Sequence, residues 1–455
     1  LYTEREIIHQ ANDSGMEAMV LMTNNYEKMK AIQSQTKIKQ IVATNIKEAL
    51  PPILGFLFGL TKEKKGGFRV TLRDNDVWMQ DLLKKFTAAD RPDVDINMDD
   101  TALFQYSGGT TGLSKGVVAP HRGLVANMHQ LAVWNQLDTE GEEVSAMAIP
   151  LFHAYGMVVG LAYGVMRAAT LVMIPDPRNI KDVLDNIQKY KATLFPGVPA
   201  MYNAINNHPD VLSGKYDLST IKFCISGSAP LLRETKEKFE EITGGTLVEG
   251  YGLSEAPVAT HANPLKGKNK AGSIGMPLPG VDCRVVDLDD GVTDLEQGEI
   301  GELLLQGPQI MKGYHNLPTE TANAIRDGWL YTGDIVYMDE DGYFFIVDRK
   351  KELIKPGGFQ VWPREVEEII QDNPMVLEVG VGGIPDVNSG EAVKAWIVVK
   401  EGEELSLEEV RSWCKEKLAG YKVPKQVQFM DELPKTTIGK ILRRELIRMH
   451  NEGEE

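Results

Sequence analysis

The order of apolar and polar positions along the chain predicts a mixed α/β protein. Residues 3–14 follow the helical period and start with Thr3 and Glu6 at capping-box spacing, and a short strand follows near residues 19–22. From Thr101 to about Gly280, apolar runs such as AMAIPLF, ATLVMIP and IKFCISG alternate with helical patterns. That alternation predicts βα units whose strands are buried and largely parallel.

The pattern changes after Gly280, where short apolar runs are separated by Asp-Gly or glycine-rich turns. VDCRVVD, GELLLQG and GYFFIVD predict a small antiparallel β subdomain over about residues 281–347. The dense charge run DRKKELIK at residues 348–355 then predicts an exposed connector. Beyond it, a helix begun by Pro363, a strand pair and a helix capped by Ser406 with Glu409 predict a compact α+β domain.

Composition narrows the classes of function. The 455 residues carry 49 Lys and Arg against 65 Asp and Glu, a net charge of −16, which argues against a general nucleic-acid binder. Cysteines at positions 224, 283 and 414 form neither a disulfide framework nor a metal motif, so a reducing, cytoplasmic location is expected. No run reaches the roughly 18 apolar residues of a membrane-spanning helix. We also expect no signal peptide, since the sequence starts LYTERE.

The strongest local motif is YSGGTTGLSKG at residues 106–116. Its glycines let a backbone wrap closely around an anion, while its hydroxyls and Lys115 add donors and positive charge, which suits a polyphosphate. It is not a Walker A loop, because Gly116 follows Lys115 where Ser or Thr is required. A flexible surface loop is the alternative interpretation. The candidate phosphate ligands are Ser107, Gly108, Gly109, Thr110, Thr111, Gly112 and Lys115.

Three further motifs are weaker when taken singly. EGYGLSE at residues 249–255 follows an apolar strand, so Glu255 is expected at a strand's carboxyl end and is an oxygen donor suited to the Mg²⁺ of ATP. Asp334 can accept ribose hydroxyls, and Arg349 can contact ribose or phosphate. Lys440 follows a turn rich in Gly and Thr. A solvated surface charge explains each of these residues equally well or better in isolation.

In combination, the four motifs resemble the adenylate-forming superfamily of acyl- and aryl-CoA synthetases, firefly luciferase and peptide-synthetase adenylation domains. The resemblance extends from about residue 1 to residue 445. It implies an enzyme that uses ATP to join a carboxylate to AMP, releases pyrophosphate and passes the acyl group to the thiol of coenzyme A. It also implies a large AMP-binding domain over residues 1–347, a hinge at 348–351 and a small mobile domain over 352–455. We further expect an N-terminal segment to be absent, since the family has several tens of residues before LYTEREIIHQ.

The resemblance implies roles for individual residues in the first step. Residues 107–115 would bind the β- and γ-phosphates, Glu255 would hold Mg²⁺, and Asp334 with Arg349 would hold the ribose. Lys440 would bridge the substrate carboxylate and the α-phosphate. Ser254 stands where Thr is usual and keeps the hydroxyl. The adenine pocket would be lined by Gly227, Ser228, Ala229, Gly250, Tyr251, Gly252 and Ser254, with Tyr251 stacking on the base.

The resemblance also implies a second arrangement for thioester formation. The small domain would rotate about Lys351, withdraw Lys440 and bring up the segment around Gly358 and Gln360. A glycine at position 358 would let a pantetheine arm pass, and Lys355 would assist near the carboxylate. A solvated linker without a mechanical role is the alternative for the charge run.

The substrate is expected to be a carboxylic acid with an uncharged tail, because His153 follows Phe152 where peptide synthetases carry an acid for the substrate's ammonium group. His153 would line the acyl pocket, although a packed core histidine is the alternative. Gly156, Gly160 and Gly164 would open room for a chain, or else permit close packing. A medium- or long-chain fatty acid is predicted, with an aryl acid as runner-up.

Other hypotheses concern the acceptor and the surroundings of the chain. An acyl carrier protein in place of coenzyme A, oxygenation of the adenylate as in luciferase, and a non-enzymatic relative are the alternatives. Retention of Lys115, Glu255, Asp334, Arg349 and Lys440 argues against the last. The PPILGFLFGL segment before TKEKK resembles a feature of fatty acyl-CoA synthetases and would contact a membrane peripherally, or else form a buried loop.

Overall fold

The computed structural model describes residues 2–107, 114–436 and 439–453. The chain forms two compact units. One comprises the residues up to Arg122 together with Met311–Ala322, and the other comprises Gly123–Ile310 together with the residues from Asn323 onward. A helix long and apolar enough to cross a bilayer is not found among these described residues.

The first unit contains a three-stranded parallel sheet and a separate antiparallel hairpin. The predicted capping box of Thr3 and Glu6 is present at the first helix, and Ala11, Tyr26 and Ile41 form part of the buried core. Residues 115–120 run antiparallel to residues 101–107, so the two strands begin and end at the glycine-rich stretch between them. Its elements are α1 (Glu4–Ser14), β1 (Ala18–Met22), α2 (Tyr26–Ile32), β2 (Gln40–Thr44), α3 (Pro52–Thr61), β3 (Val77–Trp78), α4 (Met79–Lys85), β4 (Thr101–Ser107) and β5 (Lys115–Pro120).

The next part of the chain confirms the predicted alternation of parallel strands and helices. Leu194 bridges two parallel strand pairs, one containing Ser145 and the other Phe223, so their carboxyl ends share one edge. Phe195, Tyr202 and Phe239 pack beneath this edge, with Phe195 and Phe239 both edge-on to Tyr202. The elements are α5 (His121–Trp134), β6 (Val144–Met147), a π-helix (Gly156–Ala162), α6 (Tyr163–Met166), β7 (Thr170–Met173), α7 (Ile180–Tyr190), α8 (Pro199–Asn206), α9 (Pro209–Leu212), β8 (Phe223–Ser226), α10 (Arg233–Thr243), β9 (Thr246–Gly252), β10 (Ala259–Ala262) and β11 (Met276–Pro277).

The predicted antiparallel strands after Gly280 are present, and they form a five-stranded sheet. A two-residue turn joins two of them through Asp327 and Gly328, both with positive φ, which is the twist that tight hairpins require. The elements of this part are β12 (Asp282–Val286), β13 (Gly301–Gln306), α11 (Pro318–Ala324), β14 (Ile325–Arg326), β15 (Trp329–Met338) and β16 (Phe344–Arg349).

The C-terminal part is an α+β arrangement, as predicted, with a three-stranded sheet whose first pair is antiparallel and whose second is parallel. The capping box of Ser406 and Glu409 is present. The charge run at 348–355 is not uniformly exposed: Asp348 and Ile354 are buried, so the expectation of a solvated connector is wrong at these two positions. The elements are α12 (Pro363–Gln371), β17 (Val376–Asp386), β18 (Gly390–Val399), α13 (Leu407–Lys415), β19 (Gln426–Phe429) and α14 (Arg443–Glu452).

Candidate active site

Asp334 lies at the centre of the best-defined cluster of predicted site residues. It is 2% exposed and faces Arg349 directly across the β15–β16 pair. Tyr251 Oη donates a 2.5 Å hydrogen bond to Asp334 Oδ2, and Arg349 Nε forms a 2.9 Å ion pair with Asp334 Oδ1. The backbone amide of Asp334 donates to Thr332 Oγ1. The structure therefore brings Tyr251 of β9 together with Asp334 and Arg349 of the consecutive strands β15 and β16, although Tyr251 lies 83 residues before Asp334 in the chain.

Charge interactions link Glu255 and Arg349 to the Asp334 cluster. The carboxylate of Asp334 raises the pKa of Arg349, with smaller contributions in the same direction from Tyr251, Glu352 and Glu255. Burial, followed by the charge of Asp334, raises the pKa of Tyr251 well above its usual 10. Arg349 therefore stays charged, and Tyr251 remains a neutral donor near neutral pH.

Lys440 reaches this cluster on a tight turn. Gly439 has φ +80, and the Lys440 carbonyl accepts a 2.8 Å hydrogen bond from the Thr436 amide. The residue keeps an exposed surface, yet its pKa is lowered, first by removal of the ammonium group from bulk water and then by the positive charge of Arg349. A Cβ built on Gly439 would lie 3.7 Å from Ala200 Cβ, so the turn packs against the start of α8.

The carboxyl ends of the paired strands β8 and β9 lie next to each other, and Tyr251 is part of β9. Gly227, Ser228 and Ala229 follow β8, and Ser228 has a left-handed φ of +71. Gly250 and Gly252 end β9, and a Cβ on Gly252 would lie 1.4 Å from the Val258 carbonyl oxygen, so this position requires glycine. The predicted adenine-binding segments therefore meet at adjacent strand ends, with Ser254 in the loop that follows.

Two polar groups at these strand ends begin the predicted adenine-pocket segments. Ser226 and Glu249 pair directly across β8 and β9, and Ser226 Oγ and Glu249 Oε2 have no hydrogen-bond partner among the described groups. Burial raises the pKa of Glu249 to about 8, against the opposing charge of Arg364. Glu249 stands where the family resemblance implies an amide more commonly, a change expected to alter the polarity of the pocket. Buried polar atoms without protein partners mark places for water or a ligand.

Lys115 lies in the first unit, at the start of β5. It forms an ion pair with Glu320, and its Nζ lies 5.0 Å from the centre of the Tyr314 ring. Ser107 ends β4, and this pairing of the strands places it opposite Lys115. The candidate phosphate ligands Gly108, Gly109, Thr110, Thr111 and Gly112 lie outside the described residues.

The residues predicted for the second step are on the surface of the C-terminal part. Lys355, Gly358 and Gln360 are exposed, and so is the predicted hinge residue Lys351. Gly358 has φ +86, and a Cβ placed on it would meet no atom within 4 Å. The intervening Phe359 stacks on Tyr421 at 4.7 Å. The structure thus places Lys440 within electrostatic range of Arg349, while the Gly358 segment lies exposed.

The predicted acyl-pocket residues lie at and before the π-helix. His153 Nδ1 accepts a 3.2 Å hydrogen bond from the Tyr155 amide, and burial lowers its pKa. Backbone crowds Gly156, since a Cβ there would lie 2.4 Å from the Pro150 carbonyl oxygen. Gly160 approaches Met147 and also lines an apolar cavity of about 40 Å³ that includes Trp134. The glycines therefore permit close packing, and Gly160 does so at the wall of a cavity.

A larger apolar cavity beside the Lys440 turn was not predicted from the sequence. It measures about 230 Å³ and adjoins Gly439. Its wall includes Pro150, which precedes the His153 segment, and Ala200 of α8. These residues are apolar and widely separated in the chain, so no local motif identifies them.

The chain matches two profiles of one enzyme family and is similar to named relatives. A family profile described as AMP-binding enzyme matches residues 1–315, and one described as AMP-binding enzyme C-terminal domain matches residues 365–440. A long-chain-fatty-acid–CoA ligase of Bacillus subtilis strain 168 is 41% identical, with 100% of this chain and 80% of the relative covered. A long-chain-fatty-acid–CoA ligase of Yersinia pestis is 38% identical over 98% of this chain and 79% of its own length.

Solved structures give the same picture of the fold. ATP-bound MatB from Rhodopseudomonas palustris superposes with a TM-score of 0.82 at 28% identity, covering 100% of this chain and 83% of that one. The anthranilate CoA ligase AuaEII in complex with anthranoyl-AMP superposes with a TM-score of 0.84 at 24% identity, covering 99% and 81%. The second likeness concerns the fold alone.

Proposed function

Because the chain belongs to the AMP-binding enzyme family, we propose that it is an AMP-forming acyl-CoA ligase that activates a long-chain fatty acid with ATP and transfers the acyl group to coenzyme A. The observation that carries the proposal is the convergence of Tyr251, Asp334, Arg349 and Lys440 on one cluster. Relatives named long-chain-fatty-acid–CoA ligases, similar over almost the whole chain, support the substrate class.

In the first step, a carboxylate oxygen attacks the α-phosphorus of ATP, and the bond from that phosphorus to pyrophosphate breaks. Lys440 bridges the carboxylate and the α-phosphate, where negative charge concentrates, and lowers the barrier electrostatically. Asp334 accepts the ribose hydroxyls, since each of its oxygens has one side-chain donor and a carboxylate oxygen has lone pairs for a second. Lys115 and the glycine-rich stretch hold the β- and γ-phosphates.

Glu255 is the residue that would hold Mg²⁺. Its carboxylate is close enough to Arg349 to help stabilise that charge, and the described residues contain no group of three or more His, Cys, Asp or Glu arranged for a metal. One carboxylate fits a Mg²⁺ ion whose other ligands are phosphate oxygens and water. When bound, the ion neutralises charge that develops on the phosphates.

In the second step, the thiol of coenzyme A attacks the acyl carbonyl carbon, and the bond from that carbon to the AMP oxygen breaks. We propose that residues 352–455 rotate about Lys351 as a small domain against residues 1–347, with 348–351 as the hinge. The position of Lys440 beside Arg349, with Gly358 exposed, supports the arrangement of the first step. Rotation would bring Gly358 and Gln360 to the site and Lys355 near the carboxylate.

The acyl tail is proposed to lie near His153, Gly156 and Gly160. The neutral character of His153, whose pKa is lowered by burial, supports an uncharged tail. Peripheral contact with a lipid surface belongs to the same proposal, because a long-chain acid partitions into bilayers. An aryl acid as substrate and an acyl carrier protein as acceptor remain the alternatives, and rates with free coenzyme A and with carrier protein distinguish the acceptors.

The decisive experiment is carboxylate-dependent pyrophosphate exchange across acids from acetate to long-chain and aromatic. We expect the highest rate with a long-chain acid. Exchange that is independent of any acid, or fastest with an aromatic acid, would contradict the proposed substrate.

Two substitutions separate the half-reactions. Lys440→Ala is expected to slow adenylate formation about 100-fold or more and to spare thioester formation from preformed acyl-AMP. Lys435→Ala is the matched control, because this lysine lies in the same motif but pairs with Glu378. Gly358→Leu is expected to do the reverse, leaving exchange intact and blocking thioester formation. Equal loss of both half-reactions in either variant would show that the assigned role is wrong.

A further inference from the structure

The hydrogen bond from Tyr251 to Asp334 joins two different sheets. Tyr251 is part of β9, in the sheet of β8 to β11, whereas Asp334 is part of β15, in the sheet of β12 to β16. A hydrogen bond weakens steeply when its donor and acceptor move out of line or apart. The contact between Tyr251 Oη and Asp334 Oδ2 therefore depends on how firmly the tyrosine ring is held relative to the second sheet.

His261 contacts both sheets. It is fully buried and lies directly opposite Tyr251 in the antiparallel pairing of β9 and β10. Its ring is edge-on to the Tyr251 ring, with centres 5.8 Å apart, and edge-on to the ring of Phe344 in β16, with centres 4.9 Å apart. The backbone of Phe344 is fixed in turn, because it donates to the Gly275 carbonyl and accepts from the Ile274 amide, both at 2.9 Å. One imidazole thus packs against an aromatic ring from each sheet in a geometry that such pairs prefer.

Both ring nitrogens of His261 have polar partners. Thr260 Oγ1 lies 3.0 Å from Nδ1, and Cys283 Sγ, in β12 of the second sheet, lies 3.4 Å from Nε2. Consecutive strand residues normally point to opposite faces, but the register shifts between Ala259 and His261, which lets Thr260 reach its neighbour's ring. Burial lowers the pKa of His261 to about 3, so the ring is neutral. It cannot turn without losing both contacts, and its plane is therefore fixed.

We propose that His261 is a positioning residue for adenylate formation. It holds the Tyr251 ring where the phenol hydroxyl reaches Asp334, and Thr260 and Cys283 hold His261 in turn. Because the imidazole is neutral, it acts through the placement of Tyr251 and not by adding charge to the site. The consequence for ATP affinity rests on the proposed function, in which Asp334 accepts the ribose hydroxyls.

A double-mutant cycle on the full chain tests this role. His261→Leu removes the ring with little change in side-chain volume, and Tyr251→Phe removes only the hydroxyl. In pyrophosphate exchange, each is expected to raise the KM for ATP about tenfold, the loss typical of one hydrogen bond to a charged group, and to leave the KM for the acid unchanged. With Tyr251→Phe already present, His261→Leu should raise the KM for ATP little further, because no hydroxyl remains to be placed. Independent effects that multiply to about 100-fold would overturn the proposal.

Two further variants keep the test sharp. Cys283→Ala leaves the imidazole in place and removes its Nε2 partner, so it should raise the KM for ATP in the same direction but less, even if His261→Leu fails to fold. His208→Leu is the matched control, because His208 is also edge-on to a tyrosine, Tyr216 at 6.4 Å, but lies just before α9. It should leave the KM for ATP unchanged. An equal rise in the His208 variant, or no rise with Cys283→Ala and His261→Leu, would contradict the role of His261.

Urea unfolding of the same four proteins, without nucleotide, separates this inference from the proposed function. If His261 positions the Tyr251 hydroxyl, the two substitutions together should change the unfolding equilibrium constant about fivefold less than the product of their separate effects. Such coupling in a chain that does not bind ATP would support the role of His261 and contradict the proposed function. ATP-dependent exchange with independent effects in both measurements would overturn the role of His261 and leave the proposed function standing.

Discussion

Arg443, at the start of α14, makes the densest set of ion pairs in the C-terminal part that the structure describes. Its Nε and Nη2 contact the two carboxylate oxygens of Glu367 at 2.7 and 2.5 Å, and its Nη1 contacts Asp348 Oδ1 at 3.0 Å and also Glu352. The side chains of Arg443, Glu367 and Asp348 are 17%, 18% and 2% exposed. Asp348 also accepts the Arg364 amide near the start of α12. One guanidinium group therefore pairs with three carboxylates and ties the base of the Lys440 turn to the end of β16.

Replacement of Arg443 by Ala removes the positive charge and leaves the acids behind. Truncating one partner of a buried ion pair costs about 3–5 kcal/mol of unfolding free energy, because the remaining charge is left uncompensated. Burial already raises the pKa of Glu367, and Arg443 opposes that rise. Without Arg443 the pKa of Glu367 rises further, so the acid takes up a proton as pH falls. We therefore expect the loss of stability to be larger at pH 8 than at pH 5.

Arg448 on the same helix provides the control. It pairs with Glu445 and Glu452, but these side chains are 40–49% exposed, so Arg448→Ala should change the unfolding free energy by at most about 1 kcal/mol. Urea unfolding can be followed by intrinsic fluorescence, since Trp396 is fully buried in this part of the chain. Equal midpoints for the two variants, or a loss that does not depend on pH, would refute the reasoning that burial makes the Arg443 network costly to break.

Two further changes test other features of the second unit. Burial raises the pKa of Glu249 from its usual 4.5 to about 8, so the folded state holds a proton that the unfolded state releases. The free energy of unfolding should therefore fall as pH rises from about 4.5 to 8, by at most about 5 kcal/mol. In urea unfolding, Glu249→Gln should show a flatter pH dependence than the unchanged protein and should be the more stable of the two at pH 8. Parallel pH profiles for the two proteins would contradict the raised pKa of Glu249. Gly252→Ala should raise the KM for ATP about tenfold or more in pyrophosphate exchange, because the added Cβ would lie 1.4 Å from the Val258 carbonyl oxygen. An unchanged KM, with Gly420→Ala as the unstrained control, would show that the backbone at Gly252 moves freely.

Local features were predictable from the sequence, and features set by distant partners were not. The capping boxes at Thr3 and Ser406 depend on residues three positions apart, so the sequence contains all the information required. Asp348 looked like one more surface charge, yet its burial depends on Arg443, which lies 95 residues along the chain. The apolar PPILGFLFGL run likewise predicts contact with something apolar, but only the fold shows that its face is turned outward.

In the candidate site, too, local features were predictable and contacts between distant residues were not. The order of motifs indicated that Asp334 and Arg349 belong together, and the register of β15 and β16 places them opposite each other. The hydrogen bond from Tyr251 to Asp334 was not predicted, because a phenol hydroxyl leaves no periodic or spacing signal. The cavity beside Gly439 was missed for a related reason, since its apolar lining has no motif and forms only when separate segments fold together.

The two donors that hold Asp334 have a consequence for nucleotide affinity. Tyr251 and Arg349 hold the carboxylate in the folded protein, so under the proposed function an arriving ribose would not have to order it. The rotamer entropy of such a side chain, about 0.5–1.5 kcal/mol, is therefore lost before binding begins. Under the proposed function, affinity for the nucleotide would then depend on Tyr251 and Arg349 through their hold on Asp334, and a change at either donor would weaken binding while Asp334 itself remains intact.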